Sequence, residues 1–161
     1  MQRVITALVV FYCASGWITE GQANEVEAVK AAYAEHVARA GRGDVDLFLE
    51  QHMPGHTAFG PTGAKLSRWD SIEEEKKARP DLAKPQNPPS RLHRLEAQVY
   101  GGDAAVVTAY SSAQVTLTDG TLRPGIRRVT SVWVKQNGKW LEVHDHMSTL
   151  MSGKAPATEA P

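Results

Sequence analysis

A β-hairpin predicted over residues 129–148 constrains the fold more than any other part of the sequence. Two runs rich in Val, Trp and Thr flank Asn137-Gly138. This dipeptide favours the positive φ angles that a two-residue type I′ turn requires. With these two residues as the loop, Ser131 is expected to face His144 across the hairpin. The chain should therefore contain an antiparallel sheet built around this pair of strands.

The second strand of the hairpin ends in His144-Asp145-His146. Successive side chains of a strand point to opposite faces of the sheet. The spacing therefore predicts that Trp140, Glu142 and both histidines share one face. Asp145 is expected on the other face, so His144 and Asp145 are not predicted to form part of a catalytic triad.

The charge balance and the cysteine content exclude several functions. The 161 residues include 18 Lys+Arg and 18 Asp+Glu, so the formal net charge is zero and no nucleic-acid partner is indicated. A neutral chain lacks the charge repulsion that opposes association, and we expect a homo-oligomer, either a dimer or a larger ring. Cys13 is the only cysteine, which excludes a zinc-thiolate site.

Residues 1–23 are predicted to be a signal peptide. A positive charge precedes an apolar run over residues 4–14, which is too short to span a bilayer as a helix. Small residues at Gly21 and Ala23 favour cleavage before Asn24. Cleavage after residue 15 or 16 and an uncleaved anchor are the alternatives. The mature protein is expected to be secreted or periplasmic, with no membrane contact after cleavage.

In the rest of the chain, helices come first and strands follow. Apolar spacing predicts helices over residues 24–40, 45–51 and 67–78, with Ser67 capping the third. Strands are predicted over residues 56–59, 91–100, 104–118, 127–136 and 139–150. This order predicts one α+β domain over residues 24–150, with three helices on one face of a curved sheet. Residues 151–161 are predicted to be a disordered tail.

Three segments carry a family resemblance. They are TAFGP at residues 57–61, GGDAAVV at 101–107 and SVWVKQNGKWLEVHDHMS at 131–148. Together with the order of elements, they resemble the nuclear transport factor 2-like superfamily, which includes SnoaL-like and ketosteroid-isomerase-like proteins. The segments also resemble the association domain of calcium/calmodulin-dependent protein kinase II. The resemblance implies a cone-shaped fold with an antiparallel or mixed sheet and a cavity between this sheet and the first helix.

The sequence departs from these relatives at three positions. Gly60 stands where the resemblance places the carboxylate base of ketosteroid-isomerase-like enzymes. A glycine cannot abstract a proton, so that isomerase mechanism is not implied. Ser131 and Met147 stand where the kinase association domain has pocket arginines. A carboxylate ligand held by those arginines is therefore not implied either.

Five residues are predicted to be the polar groups that contact a ligand in the cavity, namely Tyr33, His93, Tyr110, His144 and His146. No catalytic residue is assigned. A metal bound by His144 and His146 would need His93 or Glu142 as a third ligand, and no metal site and no cofactor is predicted.

The sequence is consistent with two functions. The first is an exported SnoaL-like domain that self-associates and binds a small, mainly apolar molecule without catalysis. The alternative is a lyase, isomerase or cyclase that uses a pocket histidine as base, because imidazole titrates near neutral pH. Gly60 favours the first. His52 and His56 flank Met53-Pro54-Gly55 and are expected to be solvated in a loop.

Overall fold

The computed structural model describes residues 20–61, 65–116 and 120–150. The helices are α1 (Glu20–Arg42), α2 (Val45–Leu49) and α3 (Ile72–Ala78), with a 3-10 turn at Pro80–Ala83. The strands are β1 (His52–Phe59), β2 (Ser67–Trp69), β3 (Arg91–Tyr100), β4 (Ala104–Thr116), β5 (Leu122–Gln136) and β6 (Lys139–Thr149). Most of the predicted signal peptide and all of the predicted tail lie outside the described residues. No helix in the described part of the chain is long and apolar enough to cross a membrane.

The six strands form one mixed sheet in the order β2-β1-β6-β5-β4-β3. Strands β3 to β6 are an antiparallel meander, whereas β1 pairs parallel to β6. The three helices precede the meander, and the sheet is curved and does not close into a barrel. The predicted α+β architecture is therefore confirmed.

The turn between β5 and β6 has the predicted geometry. Asn137 and Gly138 have φ values of 52° and 77°, and Gln136 pairs with Lys139. Both central residues have positive φ, as a type I′ turn requires. This turn positions β6 beside β5 and so determines which residues of β6 can reach the interior.

The core lies between α1 and the inner face of the sheet. Val29 and Tyr33 of α1 are buried, and Tyr33 meets Trp133 edge to face at 6.1 Å between ring centroids. The inner face of β4 carries small side chains, including Ala109 and Ser111. Because these side chains do not fill the space under α1, a cavity remains at this end of the core.

The third predicted helix begins later than expected. Ser67–Trp69 forms β2, in which Trp69 pairs with His56 of β1. The helix starts at Ile72, and Ser71 rather than Ser67 caps it by accepting a hydrogen bond from the Glu74 N–H at 3.1 Å. A strand partner was available only after the fold had brought β1 alongside, so tertiary pairing overrode the local pattern.

Candidate functional site: a buried imidazole–carboxylate cluster

Six ionisable side chains are buried together beside the cavity. They come from α1, β1, α3 and β6, and we refer to them as the imidazole–carboxylate cluster: His36, His52, His56, Glu75, Glu142 and Asp145. None is more than 8% exposed. Ionisable groups are rarely buried without partners, because desolvation penalises their charged forms.

A β-bulge at Val143 brings two carboxylates of β6 into this cluster. Trp133 pairs with Glu142 as predicted, but Val132 pairs with His144 and Ser131 with Asp145. The extra residue reverses the alternation of β6 beyond it. Glu142 and Asp145 are therefore both buried. The prediction that His144 shares a face with Glu142, with Asp145 opposite, is wrong for this reason.

His52 and His56 are buried on β1 rather than solvated in a loop. They are 3% and 1% exposed. Residues four apart on a strand point to the same face, and the two imidazoles stack with 4.0 Å between ring centroids. The prediction of a loop is wrong because β1 continues through Pro54 and Gly55, where its register against β6 shifts.

The Glu142 carboxylate lies at the centre of the cluster. Its Oε2 atom is 3.3 Å from Nε2 of His36, 3.2 Å from Nε2 of His52 and 3.5 Å from Nε2 of His56. Its other oxygen accepts a hydrogen bond from the Ser131 hydroxyl, which in turn accepts one from Trp133 Nε1 at 2.5 Å.

Glu75 holds the opposite side of the two β1 imidazoles. One of its oxygens is 2.8 Å from Nδ1 of His52. The other accepts a hydrogen bond from Arg79 at 2.7 Å and lies 3.5 Å from Nδ1 of His56. His52 and His56 thus lie between two carboxylates, with Glu75 on the Nδ1 side and Glu142 on the Nε2 side. This arrangement determines the orientation of both rings.

The environment separates the pKa values of the carboxylates. Burial would raise the pKa of Glu142, but the surrounding imidazoles, above all His36, hold it well below its ordinary value. Burial also opposes ionisation of Glu75, yet His52 and His56 lower its pKa strongly. At Asp145, burial and the charge of Glu142 raise the pKa to about 7. Carboxylates with divergent pKa values in one cavity are typical of functional sites.

The imidazoles and the nearby phenol are shifted as well. Burial lowers the pKa of His36. Burial would lower the pKa of His56 too, but the carboxylates of Glu142 and Glu75 outweigh this effect and raise it to about 9. The pKa of Tyr33 lies well above its ordinary value because of burial and the charges of Glu142 and Asp145. Tyr33 therefore stays a neutral hydrogen-bonding group.

A cavity of about 280 Å³ opens beside the cluster. Its polar lining includes Tyr33, His36, His52, Glu142 and Asp145, and its apolar lining includes Val37, Ala40, Phe48, Val129 and Met147. Arg127 and Arg79 also line it. The cavity therefore offers an apolar surface together with both signs of charge.

Of the five predicted ligand-contacting residues, only Tyr33 lines this cavity. His93 is exposed and lies 3.1 Å from the Ser112 hydroxyl. Tyr110 is 36% exposed. His144 lies 2.8 Å from the Thr57 hydroxyl, and His146 packs edge-on to Phe59. These four residues are on β3, β4 and β6, outside the cavity.

A family model described as a SnoaL-like domain matches residues 27–152 of the chain. The chain belongs to the SnoaL-like domain family. No curated protein matches the chain significantly. The resemblance to the nuclear transport factor 2-like superfamily that the sequence motifs indicated is thereby confirmed.

Solved structures share the fold at low sequence identity. The association domain of the Caenorhabditis elegans calcium/calmodulin-dependent kinase is 19% identical, with a TM-score of 0.63 over 80% of this chain and 98% of that one. A Streptomyces avermitilis protein of this superfamily, proposed as a dehydratase, is 17% identical with a TM-score of 0.64 over 81% and 99%. A Pectobacterium atrosepticum protein of unknown function is 25% identical with a TM-score of 0.61 over 81% and 94%.

Proposed function

We propose that this SnoaL-like domain is exported, self-associates and binds a small molecule in the cavity between α1 and the sheet. The observation that carries the binding proposal is the cavity itself, which combines an apolar wall with a few converging polar groups. That combination is typical of small-molecule sites. The ligand would have a mainly apolar body and at least one polar group.

Arg127 indicates the chemistry of that polar group. Its guanidinium donates to the Gln114 carbonyl at 2.5 Å, but its buried Nε has no hydrogen-bond partner. Among the residues that the structure describes, no carboxylate lies close enough to pair with it. An unpaired, partly buried guanidinium is suited to binding an anion through several N–H groups. The ligand is therefore expected to carry a carboxylate, sulfonate or similar anionic group.

Replacing Arg127 with Met tests this binding mode. The probe is 8-anilinonaphthalene-1-sulfonate, which has an apolar body and one anionic group and fluoresces more strongly in an apolar site. We expect Arg127→Met to weaken saturable probe binding about tenfold or more, since a charge-assisted hydrogen bond contributes roughly 1.5–3 kcal/mol. Arg128→Met is the matched control, because Arg128 is exposed and does not line the cavity. Equal affinity in the two variants would refute the role of Arg127.

The proposed self-association uses the outer face of the sheet. An uncharged band crosses four strands there, and we call it the outer band: Thr57, Phe59, Val106, Thr108, Thr130, Val132, His144 and His146. Every member is at least partly exposed in the single chain. A contiguous surface without charged groups is typical of protein–protein contacts. The similar structures that are association domains add support to this proposal.

Export rests on the sequence of the first 23 residues. The apolar run at residues 4–14 and the small residues at Gly21 and Ala23 fit a cleavable signal. Expression of the full chain with its natural N-terminus, followed by mass spectrometry of the exported fraction, tests it. A mature N-terminus at Asn24 is the expected result, and retention of the uncleaved chain in the cells would contradict export.

Catalysis of the lyase or isomerase class is the second candidate. The specific observation in its favour is that His36, Asp145 and Tyr33 line the same cavity. A histidine there can accept a proton while a neighbouring acid donates one, which elimination of water requires. The Streptomyces relative proposed as a dehydratase is consistent with this chemistry. A screen of β-hydroxy acids for dehydration tests it, and turnover that survives His36→Gln would exclude that base.

A further inference from the structure

We propose that the imidazole–carboxylate cluster binds a divalent first-row transition-metal ion, with Nε2 of His36, Nε2 of His52 and one oxygen of Glu142 as ligands. The inference concerns the wall of the cavity and does not rest on the anionic ligand proposed above. It concerns different residues from His144 and His146, which lie on the outer face of the sheet. With the ion bound, His36 would be a ligand and not the base of the second candidate function.

The first argument is the spacing of the three donor atoms. The Glu142 oxygen is 3.3 Å from His36 Nε2 and 3.2 Å from His52 Nε2, and the two ring nitrogens are 3.5 Å apart. Ligands bound tetrahedrally at about 2.0–2.2 Å are separated by about 3.3–3.5 Å. Charge-assisted hydrogen bonds are shorter, at about 2.7–2.9 Å. The triangle of donors therefore fits one face of a metal coordination sphere better than it fits hydrogen-bonded pairs.

The second argument concerns which nitrogen of His52 carries the proton. Nδ1 lies 2.8 Å from a Glu75 oxygen, which can only accept while it is ionised. The ring N–H therefore points to Glu75, and in the neutral ring the Nε2 lone pair points to Glu142 and His36. A lone pair that faces a carboxylate is unfavourable unless a proton or a metal ion lies between them. A carboxylate that orients a ligating histidine through its other nitrogen is common around bound metals.

The third argument is the balance of buried charge. Glu142 is 3% exposed, and in the described part of the chain no arginine or lysine lies within 4 Å of its carboxylate. Arg79, which lines the cavity, pairs with Glu75 instead. In the described part of the chain the charge partners of Glu142 are imidazoles, and a buried carboxylate is costly unless its charge is compensated. A divalent ion between Glu142 and the imidazoles would compensate its charge.

His56 gives an independent indication that a group belongs in this space. It is 1% exposed, and neither of its ring nitrogens has a hydrogen-bond partner. Its Nε2 points toward the same Glu142 oxygen at 3.5 Å and lies 3.8 Å from Asp145. Buried polar atoms without partners are rare. His56 is thus placed to hydrogen-bond a metal-bound water.

The donor set narrows the class of metal and its role. Two imidazoles and a carboxylate favour zinc, iron, cobalt or nickel over calcium and magnesium, which prefer oxygen ligands. All three proposed ligands line the cavity, so a remaining coordination position would face a bound molecule. An open position of this kind is typical of catalytic rather than structural metal sites.

The test begins with the tag-free mature protein after treatment with a chelator. Titration with Zn²⁺ by calorimetry, and with Co²⁺ by visible absorption, should show one saturable ion per chain with a spectrum of four- or five-coordinate cobalt. Zn²⁺ should also raise the melting temperature, because an ion that binds the folded state stabilises it. Absence of saturable binding at micromolar Zn²⁺ would overturn the proposal whatever the variants do.

Variants locate the site. His52→Ala is expected to weaken Zn²⁺ binding about a hundredfold or more, and Glu75→Gln about 10- to 100-fold, as is common for residues that orient a ligand. The double variant His144→Ala, His146→Ala is the matched control and should bind like the wild type. If the control loses the ion while His52→Ala keeps it, the surface histidines bind it and the proposal fails. Metal binding that persists in Arg127→Met separates this site from the anion site.

Discussion

Glu142 connects several buried polar groups. Its carboxylate contacts three imidazoles and accepts a hydrogen bond from Ser131, and its backbone N–H donates to the Gln51 carbonyl at 2.7 Å. Because these contacts join α1, β1 and β5 to β6, a change at one residue is expected to affect the whole cluster. Such networks are not additive in their energies.

His56 provides a prediction about pH at the level of single residues. It faces Glu75, Glu142, Asp145 and His52, and its folded pKa is about 9 against an ordinary value of 6.5. A histidine with a raised pKa stabilises the fold fully below pH 6.5, and this contribution is lost as the pH rises through 9. The loss for this shift is about 3 kcal/mol. The raised pKa of Asp145 also makes the fold less stable as the pH rises, but at lower pH, between its ordinary pKa of 3.8 and about 7.

The measurement is the free energy of unfolding of the metal-free protein between pH 6.5 and 9.5. The wild type should lose stability over this range, and His56→Gln should show a flatter profile. His93→Gln is the matched control because His93 is exposed on β3 and should keep the wild-type slope. Identical slopes in His56→Gln and the wild type would contradict the assignment.

At the scale of elements, the hairpin and its bulge have separate roles. The turn at Asn137-Gly138 sets the pairing of β5 with β6, whereas the bulge at Val143 sets which residues of β6 face inward. The first feature is local and is encoded by two adjacent residues. The second depends on how β6 pairs with β1 and β5 at the same time. The turn could therefore be predicted from the sequence, and the bulge could not.

Gly138→Ala tests the contribution of the turn. Gly138 has a φ of 77°, a conformation that costs a residue with a Cβ about 1–2 kcal/mol. We expect a loss of stability of about 1 kcal/mol, measured by denaturant unfolding. Gly60→Ala is the control, because an added Cβ at Gly60 would meet no atom within 4 Å and its φ is not positive. Equal effects at the two positions would argue against strain at the turn.

Glu75 and His36 are buried residues of the cluster that the helix patterns in the sequence did not indicate. Glu75 belongs to a run of acidic and basic residues in α3 that reads as a solvated face, yet it is 1% exposed. His36 lies one residue before Val37 on the inner side of α1 and is buried. The spacing of His52 and His56 on one strand was an available signal. It was masked by Pro54-Gly55, which indicated a loop.

At the scale of the whole molecule, the two faces of the sheet have different characters. The inner face carries the cluster and the cavity, and the outer band is uncharged. If the outer band is the contact between copies, the cavity stays accessible in the assembly because it lies on the other side of the sheet. Binding and self-association are then expected to be independent.

Val132→Glu tests the assembly at this scale. Val132 lies in the middle of the outer band, between Val106 and His144, and a charge there should oppose association. We expect light scattering at micromolar concentration to show a dimer or larger ring for the wild type and a monomer for the variant. Ala78→Glu on exposed α3 is the control and should associate normally. A monomeric wild type would refute the self-association proposal.

Local patterns predicted the three helices, the strands of the meander, the type I′ turn and the superfamily, because each depends on residues that are close together in the chain, whereas the short strand β2 was missed. Tertiary structure alone decided the site. Residues 36, 52, 75 and 142 come from four elements, and a one-residue bulge in β6 exchanged Asp145 for His144 on the inner face. Alternation along a strand is a local rule, whereas a bulge follows from pairing with two neighbouring strands at once, and only the folded sheet provides them.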